Sequence, residues 1–177
     1  MGIFNWFKKK FKNVNKKTED TKTKIYTDEL TIGARPCDYV LCDIMGKRIK
    51  CSIFASFKDD FDELDEEEIA EINWLITSGI LNNDFVKKSI LAYINKTYKA
   101  KENDFKERTN INGEIDLGCI NVSINSKHIS GNIVAFTGLA KCDEGHGISI
   151  SFKDKKYLSI QGEVEFDYRD NDWVEIK

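Results

Sequence analysis

The sequence predicts an α+β fold in which a mostly antiparallel β-sheet packs against two consecutive helices. Apolar and polar residues alternate over residues 49–57, after a short apolar run at residues 39–44, and alternation recurs from residue 115 onwards, which is typical of strands with one buried face. Between these parts, residues 69–76 and 85–98 carry apolar residues at helical spacing. We therefore expect an N-terminal hairpin and a C-terminal β-meander, both packed against an αα-hairpin.

Composition and charge limit the classes of protein to consider. A chain of 177 residues with 41% hydrophobic content is long enough to bury one core. We expect a basic tail or short amphipathic helix at residues 1–24 and a single α+β domain at residues 25–177. The net charge of −3 gives no general attraction to nucleic acid, and no nucleic-acid partner is expected. Because there is neither a signal-peptide pattern nor an apolar run approaching roughly 18 residues, a cytoplasmic location is expected.

The cysteines are odd in number and lie mostly in strand-like segments, with no Cys-x-x-Cys pair. This pattern is typical of buried free thiols in a reducing compartment. A metal cluster built from Cys37, Cys42, Cys51 and a histidine is a conceivable alternative, although no cofactor is predicted. The five cysteines are Cys37, Cys42, Cys51, Cys119 and Cys142.

The first two dozen residues combine aromatic side chains with lysines. On a helix, this combination is typical of a segment that lies on an anionic membrane, with rings at the interface and lysines at the rim. The other interpretation is a short terminal helix or frayed tail followed by a polar linker. This interpretation is favoured because an amphipathic helix of only about three turns is short for membrane binding. The residues that a membrane contact would use are Phe4, Trp6, Phe7, Lys8, Lys9 and Lys10.

Local patterns place the strands in both halves of the chain. In the first half, Tyr39–Ile44 and an alternating strand from Ile49 flank a turn, which predicts a hairpin. In the second half, the apolar phase switches near Gly118, which predicts a β-bulge there. A strand over residues 129–139 has apolar residues in both phases and is therefore expected to be central, with both faces covered.

An acidic run, Asp59–Glu71, separates the first hairpin from the helices. Asp65 and Glu68 have the spacing of a capping box, so a helix N-terminus explains part of the run. The run lacks the glycine and the alternating ligands of a calcium loop, which excludes an EF-hand. It could also dock a basic protein partner. The residues expected to make that contact are Asp60, Asp62, Glu63 and Glu67.

Two helices follow the acidic run. The first is expected to stop at Gly79, and the second to run from Asn83 or Asp84 to about Lys101. Because only a few residues connect them, we expect an antiparallel αα-hairpin that lies on the sheet.

A polar corner at residues 142–147 lies between the central strand and a tight hairpin over residues 147–161. Asp143, Glu144 and His146 could act there as general base and orienter, or as ligands of a metal or a small molecule. The sequence lacks a nucleophile elbow, a His-Glu-x-x-His motif, a P-loop and a dinucleotide fingerprint. The other interpretation is a turn whose carboxylates bond backbone N–H groups while the imidazole packs on the strand below.

The polar corner and its return strand contain Cys142, Asp143, Glu144, His146, Gly147, Ile160 and Gly162. This part of the chain resembles a group of uncharacterised bacterial domains of unknown function that end in a similar Asp-Glu-x-His-Gly strand and hairpin. The resemblance covers residues 25–162 and departs from the group at Gly145, where a second acidic residue is expected. It implies a small cytosolic bacterial domain. Some neighbouring families are regarded as immunity proteins for polymorphic toxins, which implies an immunity role as a hypothesis.

Two functions from different classes follow from the sequence. The first is a non-catalytic protein-binding domain, of the immunity-protein kind, whose acidic run docks the basic surface of a partner. The second is an enzyme, or a module that binds a metal or a small ligand, with its site at the polar corner. The first is the main expectation, because a group of polar residues without a nucleophile is weak evidence of catalysis.

Overall fold

The computed structural model describes residues 23–56, 58–125 and 131–161, together with the backbone of two later strands at 166–169 and 172–175. These residues form nine strands, two α-helices and a 3-10 helix at Ile80–Asn82. The bounds are β1 Ile25–Tyr26, β2 Tyr39–Ile44, β3 Lys47–Ala55, α1 Glu66–Thr77, α2 Asp84–Lys101, β4 Ile115–Ser123, β5 Ile133–Ala140, β6 Asp143–Lys153, β7 Lys156–Gln161, β8 Phe166–Arg169 and β9 Asp172–Glu175.

Strands β1–β7 form one sheet whose spatial order follows the chain order, and β8–β9 form a separate two-stranded sheet. In the larger sheet, β1–β2 and β3–β4 are parallel pairs and the others are antiparallel. The α+β class is confirmed, but the prediction of a mostly antiparallel sheet is wrong because the sheet is mixed. The cause lies in residues 56–114. This long connection carries the chain back through both helices, so β4 starts at the same end of the sheet as β3.

The predicted hairpins are present in both halves of the sheet. β2 and β3 pair antiparallel up to Ile44 and Lys47, and Met45 and Gly46 form the turn with φ of 49° and 77°. β6 and β7 form the second hairpin, with a shift of register between Ser151 and Phe152. Both hairpins are local, since each joins strands that follow one another directly in the chain.

The polar corner is shorter than predicted. The turn between β5 and β6 consists of Lys141 and Cys142, and Ala140 already pairs with Asp143. Residues 143–146 therefore belong to β6, but only Asp143 has a partner in β5, since the register shifts between Gly138 and Ala140 and leaves residues 144–147 as an irregular stretch of the strand. The side chains of these four residues lie outside the described part of the chain.

Capping side chains fix where both helices begin. Asp65 accepts a hydrogen bond from the Glu68 backbone N–H, and Glu68 accepts one from the Asp65 N–H, each at 2.9 Å. This confirms the predicted capping box. Gly79, with φ of 72°, follows the end of α1, and Asn83 caps α2 by accepting from the Phe85 N–H at 2.8 Å. The antiparallel arrangement of α1 and α2 stays a prediction.

Each helix buries one apolar face against the sheet. The rings of Trp74 on α1 and Phe152 on β6 meet edge to face, with centroids 5.4 Å apart. Within the described ranges, no helix is both long and apolar enough to cross a membrane. The helix residues in the common core are Ile69, Ile72, Leu75, Val86, Ile90 and Ile94.

β5 is buried on both faces, as predicted, since residues 133–138 are all buried. The register between β4 and β5 shifts between Ile115 and Gly118, which confirms the irregularity expected in this strand. A methyl group added at Gly118 would lie 2.6 Å from Cys51 Sγ and 2.9 Å from Phe136 Cε2. Gly118 therefore lets the Phe136 ring pack directly on the backbone of β4.

None of the five cysteines forms a disulfide bond, as predicted. Cys37 is half-buried, and the other four are buried. A hydrogen bond with Cys42, and then burial, raises the pKa of Cys51 well above its ordinary value. Cys51 therefore stays a neutral thiol that packs in the core and supplies no reactive thiolate.

We expect Gly118→Ala to destabilise the protein by about 1 to 3 kcal/mol, the usual cost of overpacking a core. The added methyl group would force Cys51, Phe136 or strand β4 to move. Urea denaturation followed by tryptophan fluorescence measures the change in the free energy of unfolding.

A double-mutant cycle with Cys51→Ala is the control for this prediction. Removing Sγ takes away the nearest of the close contacts, so the double variant should lose less stability than the sum of the two single variants. Additive losses would contradict a steric role for Gly118.

Candidate functional site

The acidic surface, defined as Asp60, Asp62, Glu63 and Glu67, lies on the loop after β3 and on the first turn of α1. Asp62, Glu63 and Glu67 are exposed, and Asp60 is half-buried. None of the three exposed carboxylates forms an ion pair with another described residue. The structure thus places Asp60, Asp62 and Glu63 on the loop after β3 and Glu67 in the first turn of the helix that follows it.

Hydrogen bonds hold this loop in place. Asp62 Oδ2 accepts from the Asp59 backbone N–H at 2.8 Å, and the Asp62 N–H donates to the Asp59 carbonyl at 3.1 Å. Leu64, buried in the core, donates its N–H to the Ala34 carbonyl at 2.8 Å. The loop is therefore fixed to the core and also to the segment that precedes β2.

Two apolar side chains are exposed on these two joined segments. Phe61 exposes 65% of its surface between the acidic residues, and Ile32 exposes 78% on the segment that contains Ala34. Single exposed apolar side chains are common on protein surfaces, so it is the position of these two beside the exposed carboxylates that makes them candidates for burial by a partner protein. Neither residue stood out in the sequence, since one phenylalanine within an acidic run carries no periodic signal.

Lys58 partly neutralises the negative charge of the carboxylates at the start of α1. Its Nζ lies 3.3 Å from Glu68 Oε2 and 3.8 Å from Asp65 Oδ2, and it donates to the Glu63 carbonyl at 2.9 Å. Burial nevertheless raises the pKa of the Glu68 carboxyl, although Lys58 acts in the opposite direction. The negative potential of this region therefore comes mainly from the exposed carboxylates of the acidic surface.

The polar corner lies at the other end of the sheet. Ala140, the last residue of β5, pairs with Ile115 at the start of β4 and with Asp143 at the start of β6. The acidic surface follows β3, whose last residue, Ala55, pairs with Val122 near the end of β4. The two sets of predicted site residues therefore belong to two separate places, and no single site uses both.

The backbone of the polar corner is anchored by its neighbours. Lys101 Nζ, at the end of α2, donates to the Cys142 carbonyl at 2.5 Å, and the Lys141 N–H donates to the Glu114 carbonyl at 2.9 Å. The side chains of Asp143, Glu144 and His146 are outside the described part of the chain. Their role as ligands or catalytic groups therefore stays a prediction.

Potential metal ligands do not gather elsewhere in the described ranges. There, no three His, Cys, Asp or Glu side chains form a group that could hold a metal ion. The cluster of Cys37, Cys42 and Cys51 considered from the sequence is therefore not formed. Strand pairing explains why, because Cys42 and Cys51 lie within the core between β2, β3 and the helices.

Sequence reasoning missed a polar cluster after α2. Two guanidinium nitrogens of Arg108 each lie 3.0 Å from a carboxylate oxygen of Glu102, and the Arg108 guanidinium lies 3.8 Å from the centroid of the Tyr98 ring. The Tyr98 hydroxyl donates to Glu114 Oε2 at 2.5 Å. Burial and then this bond raise the pKa of Tyr98, while the bonds to Glu102 raise the pKa of Arg108. These contacts hold the connection to β4 in place, and no local spacing in the sequence indicates them.

No family model matches the sequence, and no curated protein or solved structure matches the chain. The acidic surface and the polar corner are therefore the two places from which a function is argued. Of the two, only the acidic surface has described side chains.

The raised pKa of Glu68 predicts a pH dependence of stability. A carboxyl whose pKa is higher in the folded state binds its proton more tightly there than in the unfolded state. Its contribution to stability therefore falls as the pH rises above 4.5, the ordinary pKa of a glutamate side chain. Glu68→Gln removes this titration and keeps an acceptor for the Asp65 N–H. We expect the stability of the wild type, relative to this variant, to decrease between about pH 4 and about pH 7.

Urea denaturation at several pH values measures this difference. Glu67→Gln is the matched control, since it removes one exposed carboxylate from the same turn. A wild-type advantage over Glu68→Gln that grows with rising pH would contradict the assignment.

Proposed function

We propose that this chain is a non-catalytic protein-binding domain whose acidic surface docks a basic surface of a partner protein. The observation that carries this proposal is the exposed ring of Phe61, which lies within the loop that bears Asp60, Asp62 and Glu63. A large apolar side chain surrounded by charges has the composition of a binding anchor with a polar rim.

The acidic residues supply steering and selectivity in this proposal. The exposed carboxylates Asp62, Glu63 and Glu67 attract a basic partner over a distance of about one Debye length and disfavour acidic ones. The ring of Phe61 supplies affinity, because its burial removes apolar surface from water. The charges therefore act mainly on the rate of association, and the ring acts on the rate of dissociation.

The hydrogen bonds of the loop favour the same function. The bonds between Asp59 and Asp62, and the bond from Leu64 to Ala34, fix the backbone on both sides of Phe61. Binding then orders few additional dihedral angles, which lowers its entropic cost. Ile32, exposed on the segment tied to this loop, gives the partner a second apolar contact.

An immunity protein is the specific form of this proposal. The sequence resemblance of residues 25–162 to bacterial domains with immunity families as neighbours suggests this form, and no family model adds support to it. The chain would then be a stoichiometric inhibitor of a toxin with a basic surface. An enzyme or a metal-binding or ligand-binding module at Asp143, Glu144 and His146 is the alternative. Metal content and folding of the wild type and of His146→Ala test the metal-binding form of that alternative, since equal metal content in both proteins would exclude a metal site at the polar corner.

The charge of the acidic surface is tested with Asp62→Asn, which keeps the Oδ acceptor for the Asp59 N–H, together with Glu63→Lys and Glu67→Lys in one chain. We expect this triple variant to bind at least about tenfold more weakly, because attraction to a basic surface becomes repulsion. The partner is captured from a lysate with the full chain as bait, purified, and titrated calorimetrically against both forms. Half-buried Asp60 is left unchanged so that the fold is not disturbed.

Asp84→Lys, Asp104→Asn and Glu107→Lys form the matched control, since they make the same change of charge at exposed positions elsewhere. The control should bind like the wild type at moderate salt. If both triple variants bind equally well, the acidic surface is not the docking site.

The anchor is tested separately with Phe61→Ala. We expect a loss of affinity of about tenfold or more, in the range of an interface anchor, with little change in the association rate. Surface plasmon resonance with the purified partner measures both rates. Because Phe61 is exposed, the free energy of unfolding should stay within about 0.5 kcal/mol of the wild type. An unchanged dissociation rate would show that the ring is not buried by the partner.

A further inference from the structure

Over the central strands β4–β6, much of the sheet face opposite the helices is also buried. Along β4 and β5, alternate residues belong to the helix-side core, for example Ile120 and Phe136. The residues between them include Cys119, Ile133 and Ala135, which are 2%, 5% and 5% exposed but are not members of that core cluster. Something other than α1 and α2 must therefore exclude water from this second face, here called the far face.

The far face also carries a row of small polar residues across β4–β7. The Asn121 side-chain amide donates to Thr137 Oγ1 at 3.2 Å, and Thr137 Oγ1 lies 3.2 Å from Ser149 Oγ. Ser123 Oγ is buried and has no hydrogen-bond partner among the described residues. The hydroxyl residues of this row, all at most 8% exposed, are Ser123, Thr137, Ser149, Ser151 and Ser159.

These side chains define what can cover them. Alanine, serine and threonine are small, so the far face leaves room for large side chains above it. A buried hydroxyl without a partner costs free energy. A suitable cover therefore combines large rings with hydrogen-bonding groups, as tyrosine and tryptophan do.

The C-terminal hairpin β8–β9 has that composition on one face. Its register pairs Phe166 with Glu175 and Tyr168 with Trp173, and paired or alternate residues of a hairpin share a face. The three aromatic positions therefore lie together with Glu175, which stands at the open end of the hairpin, while Asp167, Arg169, Asp172 and Val174 belong to the other face. A two-stranded hairpin of this length is marginal alone in water and needs a surface to pack on.

We propose that the hairpin β8–β9 docks with its aromatic face on the far face of the sheet and forms its cover. Residues 162–165 join the hairpin to Gln161, the last residue of β7, and Gln161 pairs with Ser149 in the polar row. The hairpin therefore starts at the edge of the surface that needs a cover. Tyr168 and Trp173 bring hydroxyl and indole N–H groups to the buried hydroxyls.

Residues 1–22 are a less suitable cover. They also contain aromatic residues, but they join the sheet at β1, which is separated from β4 by β2 and β3. Their aromatics are interleaved with Lys8, Lys9, Lys10 and Lys12, and covering a buried face would remove these charges from water at high cost.

Cys119 reports whether the far face is covered. The test is the rate at which iodoacetamide modifies each cysteine of the full-length protein, read by peptide mass spectrometry. In the wild type we expect Cys119 to react as slowly as Cys42 and Cys51, which are buried on the helix side. In the double variant Tyr168→Ser and Trp173→Ser, Cys119 should react at least about tenfold faster while Cys42 and Cys51 stay protected.

Asp167→Ser with Asp172→Ser is the matched control and should leave Cys119 protected. Faster reaction of Cys119 only in a variant with Trp6→Ser and Phe7→Ser would assign the cover to the N-terminal segment and overturn the proposal. If the protection of Cys119 disappears on dilution of the wild type, the cover is a second copy of the chain, and the proposal is overturned as well. Unchanged protection of Cys119 in the double variant Tyr168→Ser and Trp173→Ser would also overturn the proposal.

A second measurement applies if the hairpin variant unfolds and all thiols react. The photoreactive residue benzoylphenylalanine replaces Tyr168 in the full chain and keeps a large ring at that position. Cross-links to peptides of β4, β5 or β6 would support the proposal. Cross-links confined to other parts of the chain, or none, would overturn it.

Discussion

The structure depends on the burial of both faces of its central strands. β4, β5 and β6 direct Ile120, Phe136 and Ile150 into the helix-side core, while Thr137 and Ser149 on the opposite face are also excluded from water. A sheet of this kind needs a cover on each side, since neither face tolerates solvent. The two helices supply one cover, and the composition of the far face, small and hydroxylated, determines the chemistry of the other.

This constraint also determines where function can be placed. Because packing occupies both faces of the central strands, the ends of the sheet, where loops connect rigid elements, are the natural places for recognition. The acidic surface occupies one end and the polar corner the other. At the first end, a capping box and a compensating lysine hold the start of α1, so the neighbouring carboxylates and Phe61 are presented on a fixed backbone.

Local chemistry made much of the fold predictable. The capping box of Asp65 and Glu68, the turn at Met45 and Gly46 and the phase switch near Gly118 each depend on residues close in sequence. The parallel pairing of β3 with β4 was not predicted, because strand direction depends on where a long connection returns. The Arg108 cluster was missed for the same reason, since its partners meet only after the connection has folded. At the candidate site, the charges were visible in the sequence but the exposure of Phe61 was not.

The parallel pair has a consequence for the order in which the protein acquires its structure. β4–β7 form a meander of consecutive antiparallel strands, whose contacts close short loops. Pairing of β3 with β4 must instead bring together strands separated by residues 56–114, which costs more chain entropy before any contact is gained. During synthesis, the hairpin β2–β3 is therefore made first, but β3 cannot pair with β4 until β4 has also been synthesised. In that interval its apolar face, including Val40, Ile49 and Ile53, is the part of the nascent chain most in need of protection from aggregation.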